Sequence, residues 1–293
     1  MNEPLFLKPI LCSYIWGTET WLVSAHPSNP SVVENGPYAG ETLAALAARF
    51  GAELMGTKAP AAFPLLIKII DAKDKLSVQV HPNETTAATT GGEPKTEMWY
   101  LLGNEPGAEL YAGLCPGVTA ETFRAALHAG SAAELLPVLP VSPGRALFIP
   151  GGLLHAIGAG CLIYEVQQSS NTTYRLFDWN RTDAQGKPRQ LHIDEGFKAI
   201  NWSLPVPAMI DKSEGVLVSC PFFTLEKLVC SGPRELPGSR ETFRALFVEK
   251  GSASLVCGTS TYALGTGASV LLPAGLSARL VPDGAATVLS TVL

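Results

Sequence analysis

Apolar and polar positions along the chain follow two periods, and the shorter one dominates. The longer, helical period appears twice. In 41–54, Leu43, Leu46, Ala47, Phe50 and Leu54 recur at spacings of three and four, which places them on one face of a 3.6-residue helix. Segment 119–136 opens on Thr119 as a cap and stops before Pro137, and its spacing slips near Gly130, predicting two short helices instead of one rod. Elsewhere short β-type runs alternate with turn residues, at 63–70, 76–81, 98–102, 146–149, 162–167 and 173–177. From Val216 onward almost everything is of this kind. The proline-bearing stretch Leu204-Pro-Val-Pro207 predicts a boundary near residue 205, dividing 1–205, with both helical segments, from a β domain at 206–293.

Polar residues break the pattern in one strand. Side chains alternate faces, so Ser77, Gln79 and His81 share one side of 76–81 and Leu76, Val78 and Val80 the other. A polar face inside an apolar barrel is costly unless something satisfies it, although a strand with its polar side in water would read the same way. Two further segments add weight: Lys95 and Glu97 lie two apart at the start of a strand, and His155 stands at the turn after one. Gln79, His81, Glu97 and His155 form a nitrogen and oxygen donor set suited to a borderline divalent ion such as zinc, with a position left for water or a substrate oxygen. His26, His128 and His192 read as surface or satisfied core residues.

A motif occurs twice. Gly144 to His155 has the form G-x5-P-x-G-x2-H, and Gly267 to Ala278 repeats it 123 residues later with Ala278 in the last place. The form resembles the second motif of the cupin barrels, in which a strand leads into a turn that presents a metal-binding His. The fold expectation is therefore mainly β, two jelly-roll (cupin) barrels with a small helical insert, the second barrel lacking metal ligands.

Composition supports this reading. The 28 Gly and 23 Pro supply turns for many short strands, and 46% apolar residues with 16% charged excludes a disordered chain. A net charge of −5 and a pI near 5.6 provide no general positive field for nucleic acid or an anionic membrane, so an anionic ligand requires local cations. Six scattered cysteines without a C-x-x-C pair read as reduced thiols. The start has no basic segment followed by a long apolar run, and no 18-residue apolar stretch follows, predicting a soluble cytoplasmic protein.

Four segments carry a family resemblance: Leu76-Ser-Val-Gln-Val-His-Pro82, Pro94-Lys-Thr-Glu-Met-Trp-Tyr100, Ile149-Pro-Gly-Gly-Leu-Leu-His-Ala156 and the run from Tyr164-Glu-Val to Arg175-Leu-Phe-Asp-Trp179. In order and spacing they resemble the motifs of the type I mannose-6-phosphate isomerases (phosphomannose isomerases), in particular the short bacterial form, over about two-thirds of the chain. The resemblance implies an aldose–ketose isomerase interconverting mannose 6-phosphate and fructose 6-phosphate through an enediolate, with one Zn2+ per chain on Gln79, His81, Glu97 and His155. It implies a catalytic arginine at Arg175, a carboxylate at Glu165, a lysine at Lys95, and contacts to the sugar phosphate from Lys68 and Ser77. Either Glu165 or Lys95 would carry the proton. Relatives often place an acid four residues before the arginine, where this chain has Asn171, which cannot titrate. The implied partner is a phosphorylated hexose, with no nucleic acid or membrane, and the chain acts as a monomer or homodimer. Two rival expectations are a non-catalytic sugar-phosphate-binding cupin and an iron-dependent cupin oxygenase.

Overall fold

The structure, a computed structural model, describes residues 1–182 and 185–293. The fold is mainly β, as the two-residue period predicts, with three antiparallel sheets of six, five and seven strands and a few short helices. Among the described residues no helix is long and apolar enough to cross a membrane. The chain forms two compact units, each discontinuous in sequence: Met1–Ile10 with Trp21–Ile67 and Lys212–Leu293, and Leu11–Thr20 with Lys68–Asp211.

The unit containing Lys68–Asp211 carries the candidate chemistry. Its five-stranded sheet runs in the order Tyr174–Phe177, Val78–Val80, His155–Ile157, Glu109–Ala112, Val138–Pro140. Cys161–Gln168, Glu97–Asn104 and Ala146–Ile149 are consecutive neighbours in the six-stranded sheet. Ile70, Trp99, Leu101, Leu147 and Ile163 from the six-stranded sheet share one core with Leu110, Ala112 and Ile157 from the five-stranded one. On the opposite face of the five-stranded sheet, Val78, Val80, Ala156 and Leu176 pack with Phe123 and Ala199 from two helices. Alternation therefore separates the two halves of one strand. Val78 and Val80 bury themselves under helices, while Ser77, Gln79 and His81 face the space between the sheets; Leu76, expected on the valine face, precedes the strand and packs into the core between the sheets instead.

The helical expectations hold with one refinement. Segment 41–54 is two helices, Leu43–Phe50 capped by Thr42 and Ala52–Met55, broken at Gly51, whose φ of 49° lies in the left-handed region. Segment 119–136 is Ala120–Ala129 followed by a 3-10 turn at Ala132–Leu135, separated near Gly130 as the spacing predicts. Helices Glu84–Thr90 and Ile193–Ala199 have no counterpart in the sequence reading. The first is rich in threonine, buries only Ala87, and is held by the Asn83 capping box instead of an apolar stripe.

The other unit contains the seven-stranded sheet, with a core that includes Leu246, Val248, Leu255, Leu280 and Val288. The sequence suggests short runs here, yet Arg244–Cys257 and Ala278–Val292 are long strands. Their pairing continues through register shifts at Val248/Lys250 and Gly251/Ala253, and such bulges let one strand bend and continue.

The repeated motif is also a structural repeat. Ala146–Ile149 and Ser269–Leu272 are four-residue strands at the same offset, and His155 and Ala278 each begin the next strand. Gly152 and Gly275, equivalent in the two copies, both take positive φ, 93° and 79°.

Candidate active site

Three neighbouring strands of the five-stranded sheet set the first row of the site. Gln79 is the cross-strand partner of both Arg175 and His155. Residues directly opposite one another share a face, so these three side chains rise together. The turn before His155 is closed by Gly152, whose amide donates to the His81 carbonyl at 2.8 Å and so ties the two histidine-bearing segments together. A Cβ on Gly152 would meet Asn201 and Ala199 at 3.1–3.3 Å, in a backbone conformation that side chains resist. Glu97 opens a strand of the six-stranded sheet, and its carboxylate reaches both rings: Oε2 lies 3.5 Å from His81 Nε2, and Oε1 lies 3.5 Å from His155 Nε2. The three side chains are at most 1% exposed, and one ligand atom from each lies within 4.8 Å of the others.

Hydrogen bonds fix which nitrogens carry protons. His81 Nδ1 lies 2.8 Å from the Thr172 carbonyl and His155 Nδ1 lies 2.8 Å from the Leu153 carbonyl. A carbonyl only accepts, so each Nδ1 donates and each neutral ring turns an Nε2 lone pair toward Glu97. Burial holds both rings neutral, pushing His155 down to about 4 and His81 well below its ordinary value. Two lone pairs and a carboxylate converging in a dry site repel one another unless a cation joins them. Lys95 provides one: its Nζ is 3.0 Å from Glu97 Oε2 and 3.2 Å from His81 Nε2. Glu97 Oε2, although ion-paired, makes no hydrogen bond. This donor chemistry fits a divalent metal ion.

Gln79 is the fourth candidate ligand. Its Nε2 lies 3.4 Å from His155 Nε2, and its Oε1 accepts from the Ser77 hydroxyl at 3.3 Å. A half-turn of the amide would bring the oxygen to the cluster and the NH2 to Ser77, and a hydroxyl accepts as readily as it donates.

Gln79 and Lys95 also line a cleft of about 250 Å³, where Ser77, Lys68, Glu165 and Arg175 join them. That volume is just below the usual range of about 300–1,000 Å³ for ligand sites and suits a small polar molecule. Lys68 Nζ lies 2.9 Å from Glu19 Oε1 and 3.1 Å from Glu165 Oε1, so an ammonium is shared between two buried carboxylates on adjacent strands. Burial alone would depress the lysine, but Glu165 and Glu19 outweigh it and raise its pKa. Glu165 also accepts from Trp99 Nε1 at 2.9 Å. Burial, then the Glu97 carboxylate, raises the Glu165 carboxyl above the ordinary range, against the pull of Lys68 and Lys95. Arg175 Nη1 donates to the Gln190 carbonyl at 2.9 Å while its buried Nε has no hydrogen-bond partner.

The structure thus brings together every site residue expected from the sequence: the four candidate ligands form one cluster, and Lys95, Glu165, Arg175, Lys68 and Ser77 line the adjoining cleft or touch the cluster. Asn171 lines the same cleft. Four residues escape the sequence reading, namely Glu19, Trp99, Asp178 and Arg189. Glu19 had a signal, since it is in phase with the buried Trp21 and Val23 along Gly17–Ser24. Asp178 and Arg189 meet although they lie eleven residues apart, and had none.

Comparison with known proteins decides the family. The chain is 38% identical over 297 residues to the mannose-6-phosphate isomerase of Streptococcus mutans serotype c, an alignment covering 93% of each protein. The chain belongs to the type I mannose-6-phosphate isomerase family. Residues 7–126 match the family model for the phosphomannose isomerase type I catalytic domain. A mannose-6-phosphate isomerase of Bacillus subtilis is 36% identical, with 94% of each chain covered. The crystal structure of the mannose 6-phosphate isomerase from Bacillus subtilis superposes with a TM-score of 0.89 at 31% identity, covering 98% of this chain and 99% of that one. The cupin-type fold expected from the G-x5-P-x-G-x2-H motif is the fold of this isomerase family.

Proposed function

We propose that the chain interconverts mannose 6-phosphate and fructose 6-phosphate with one zinc ion held by Gln79, His81, Glu97 and His155. The observation that carries this reading is the convergence of two proton-free Nε2 atoms and the Glu97 carboxylate in a dry pocket beside a cleft rich in cations. When bound there, the ion supplies Lewis acidity toward the oxygens of a hydroxy-carbonyl substrate.

The protein's own groups account for the rest. Aldose-to-ketose conversion removes a proton from C2 and returns one to C1, through an enediolate. Glu165 is assigned as the base: it faces the cleft, and burial raises its carboxyl toward neutrality, where a group both takes and gives a proton efficiently. Lys68 and Trp99 hold it in place. Lys95 and Arg175 donate to the oxygens on which negative charge develops, and Arg175 stays protonated throughout. Ser77 orients Gln79 and, with Lys68, contacts the sugar end of the substrate.

The catalytic part is assigned to residues 1–205, and the β segment 206–293 to a metal-free structural role, with Ala278 where the motif's first copy has His155. A cytoplasmic enzyme, monomeric or homodimeric, suits the acidic charge balance and the free cysteines. Incubation with mannose 6-phosphate in deuterated water tests the reading. Fructose 6-phosphate should form with deuterium entering at the exchanged carbon. Binding without exchange would instead mark a sugar-phosphate sensor.

A further inference from the structure

A hexose 6-phosphate carries its charge at the end remote from the reacting carbons, so the cleft needs a cation away from the donor cluster. Lys68 is poorly suited to a dianion, because Glu19 and Glu165 already match its charge within 3.1 Å. Lys95 stands against Glu97 and His81. The remaining cations on the cleft wall are Arg175 and Arg189. The Arg189 side chain is 23% exposed, whereas those of Lys68 and Lys95 are at most 7% exposed, which places Arg189 toward the solvent side.

Asp178 holds this guanidinium in a fork. Its two oxygens accept from Arg189 Nε at 2.7 Å and from Arg189 Nη2, and Oδ1 also accepts from Arg181 Nη2 at 2.7 Å. Of the five N–H groups of Arg189, the fork uses two and leaves three, a planar array that matches the oxygens of a phosphate. Asp178 serves both Arg189 and Arg181, Arg181 also pairs with Asp74 at 2.9 Å, and Arg175 is near enough to be depressed by both guanidiniums after burial has acted on it, so three guanidiniums face two carboxylates and one positive charge is left over. Arg189 also borders a second cavity, of about 400 Å³, between the Ala120–Ala129 helix and the turn after Tyr174–Phe177. Asp178 lines that second cavity and holds the guanidinium where it borders both spaces. The turn that brings Arg181 back to Asp178 is itself strained: Trp179 and Asn180 take φ of 58° and 55°, and the Trp179 indole anchors it by donating to the Leu76 carbonyl at 2.7 Å.

We propose that Arg189 binds the phosphate of the sugar phosphate at the outer end of this cleft, and that Asp178 is the positioning residue that aims it. This deepens the isomerase reading and rests on it for the identity of the substrate, but phosphate binding can be measured without turnover. The test compares metal-loaded wild type with Arg189→Gln, Arg189→Lys and Asp178→Asn, using inorganic phosphate as probe by titration calorimetry and mannose 6-phosphate in kinetics. Arg189→Gln should raise the phosphate dissociation constant and the KM for mannose 6-phosphate by a common factor, on the order of 10- to 100-fold. Metal content should stay at the wild-type level. Arg189→Lys should recover part of the loss, and Asp178→Asn should raise KM by a smaller factor while kcat stays within about twofold, a split that simple destabilisation would not produce. Unchanged phosphate affinity and KM in Arg189→Gln would overturn the proposal. A wild type that binds phosphate through Arg189 yet fails to isomerise mannose 6-phosphate would retire the isomerase reading and leave this one standing.

Discussion

The Lys68 ammonium and the Glu165 carboxylate lie 3.1 Å apart, with side-chain exposures of 7% and 2%. On the far side of the ammonium is Glu19, so three charges from adjacent strands are buried in one row. A buried pair contributes little net stability as a unit, but losing one partner leaves an uncompensated charge. Lys68→Met strands two carboxylates and should cost about 3–5 kcal/mol in urea unfolding. Adding Glu165→Gln should recover part of that loss, because the two residues couple. Strictly additive losses would show that the pair does not act as a unit.

Histidine burial predicts the pH dependence of the metal-free protein. His155 is held at about 4 in the folded chain, against an ordinary value of about 6.5. A depressed folded pKa gives stability that is present above the unfolded value and lost as pH falls toward the folded one. In chelator, roughly 3 kcal/mol should therefore disappear between about pH 6.5 and pH 4, with His81 acting in the same direction. Glu165, raised in the folded state, has the opposite sign, so it partly masks the trend. Urea midpoints of wild type and His155→Gln across this range isolate the histidine. The variant should show the shallower dependence.

Trp99 offers a way to read Glu165 directly. Its indole donates to the carboxylate at 2.9 Å and so favours the ionised form. Trp99→Phe removes that donor. The acid limb of the kcat profile should move up by about one pH unit, with metal content retained. An acid limb that stays in place would exclude Glu165 as the group controlling it.

Arg175 separates chemistry from assembly. Among the described residues its guanidinium makes no hydrogen bond to a candidate ligand and instead donates to the Gln190 carbonyl. Arg175→Ala should keep metal content near wild type while lowering kcat on the order of 10²-fold or more, the usual scale for losing one donor to a developing oxyanion. Wild-type turnover in this variant would remove Arg175 from the mechanism.

Much of the site was legible because strand alternation is a local rule. Ser77, Gln79 and His81 could be placed on one face from spacing alone, and the repeated motif located His155 and its counterpart Ala278 at the starts of equivalent strands. The break near Gly130 was equally local. What stayed hidden depends on contacts between distant segments. The Asn83 cap that makes Glu84–Thr90 a helix outweighs an unfavourable composition. Asp178 and Arg189 meet although they lie eleven residues apart, a contact that no local period announces. Glu19 lay in phase with Trp21 and Val23, but a lone carboxylate in a strand gives no hint of the lysine 49 residues later that makes its burial tolerable.

The chain belongs to a metal-dependent isomerase family, and the proposed ion site at Gln79, His81, Glu97 and His155 is open to a reconstitution experiment. The most direct test strips the protein with chelator, restores zinc in steps, and follows metal content alongside conversion of mannose 6-phosphate to fructose 6-phosphate. Activity should rise in proportion to bound zinc up to one ion per chain, and His81→Ala and Glu97→Ala should neither retain the ion nor recover the rate. Full conversion by the stripped protein, or none by the fully loaded one, would contradict the proposed site.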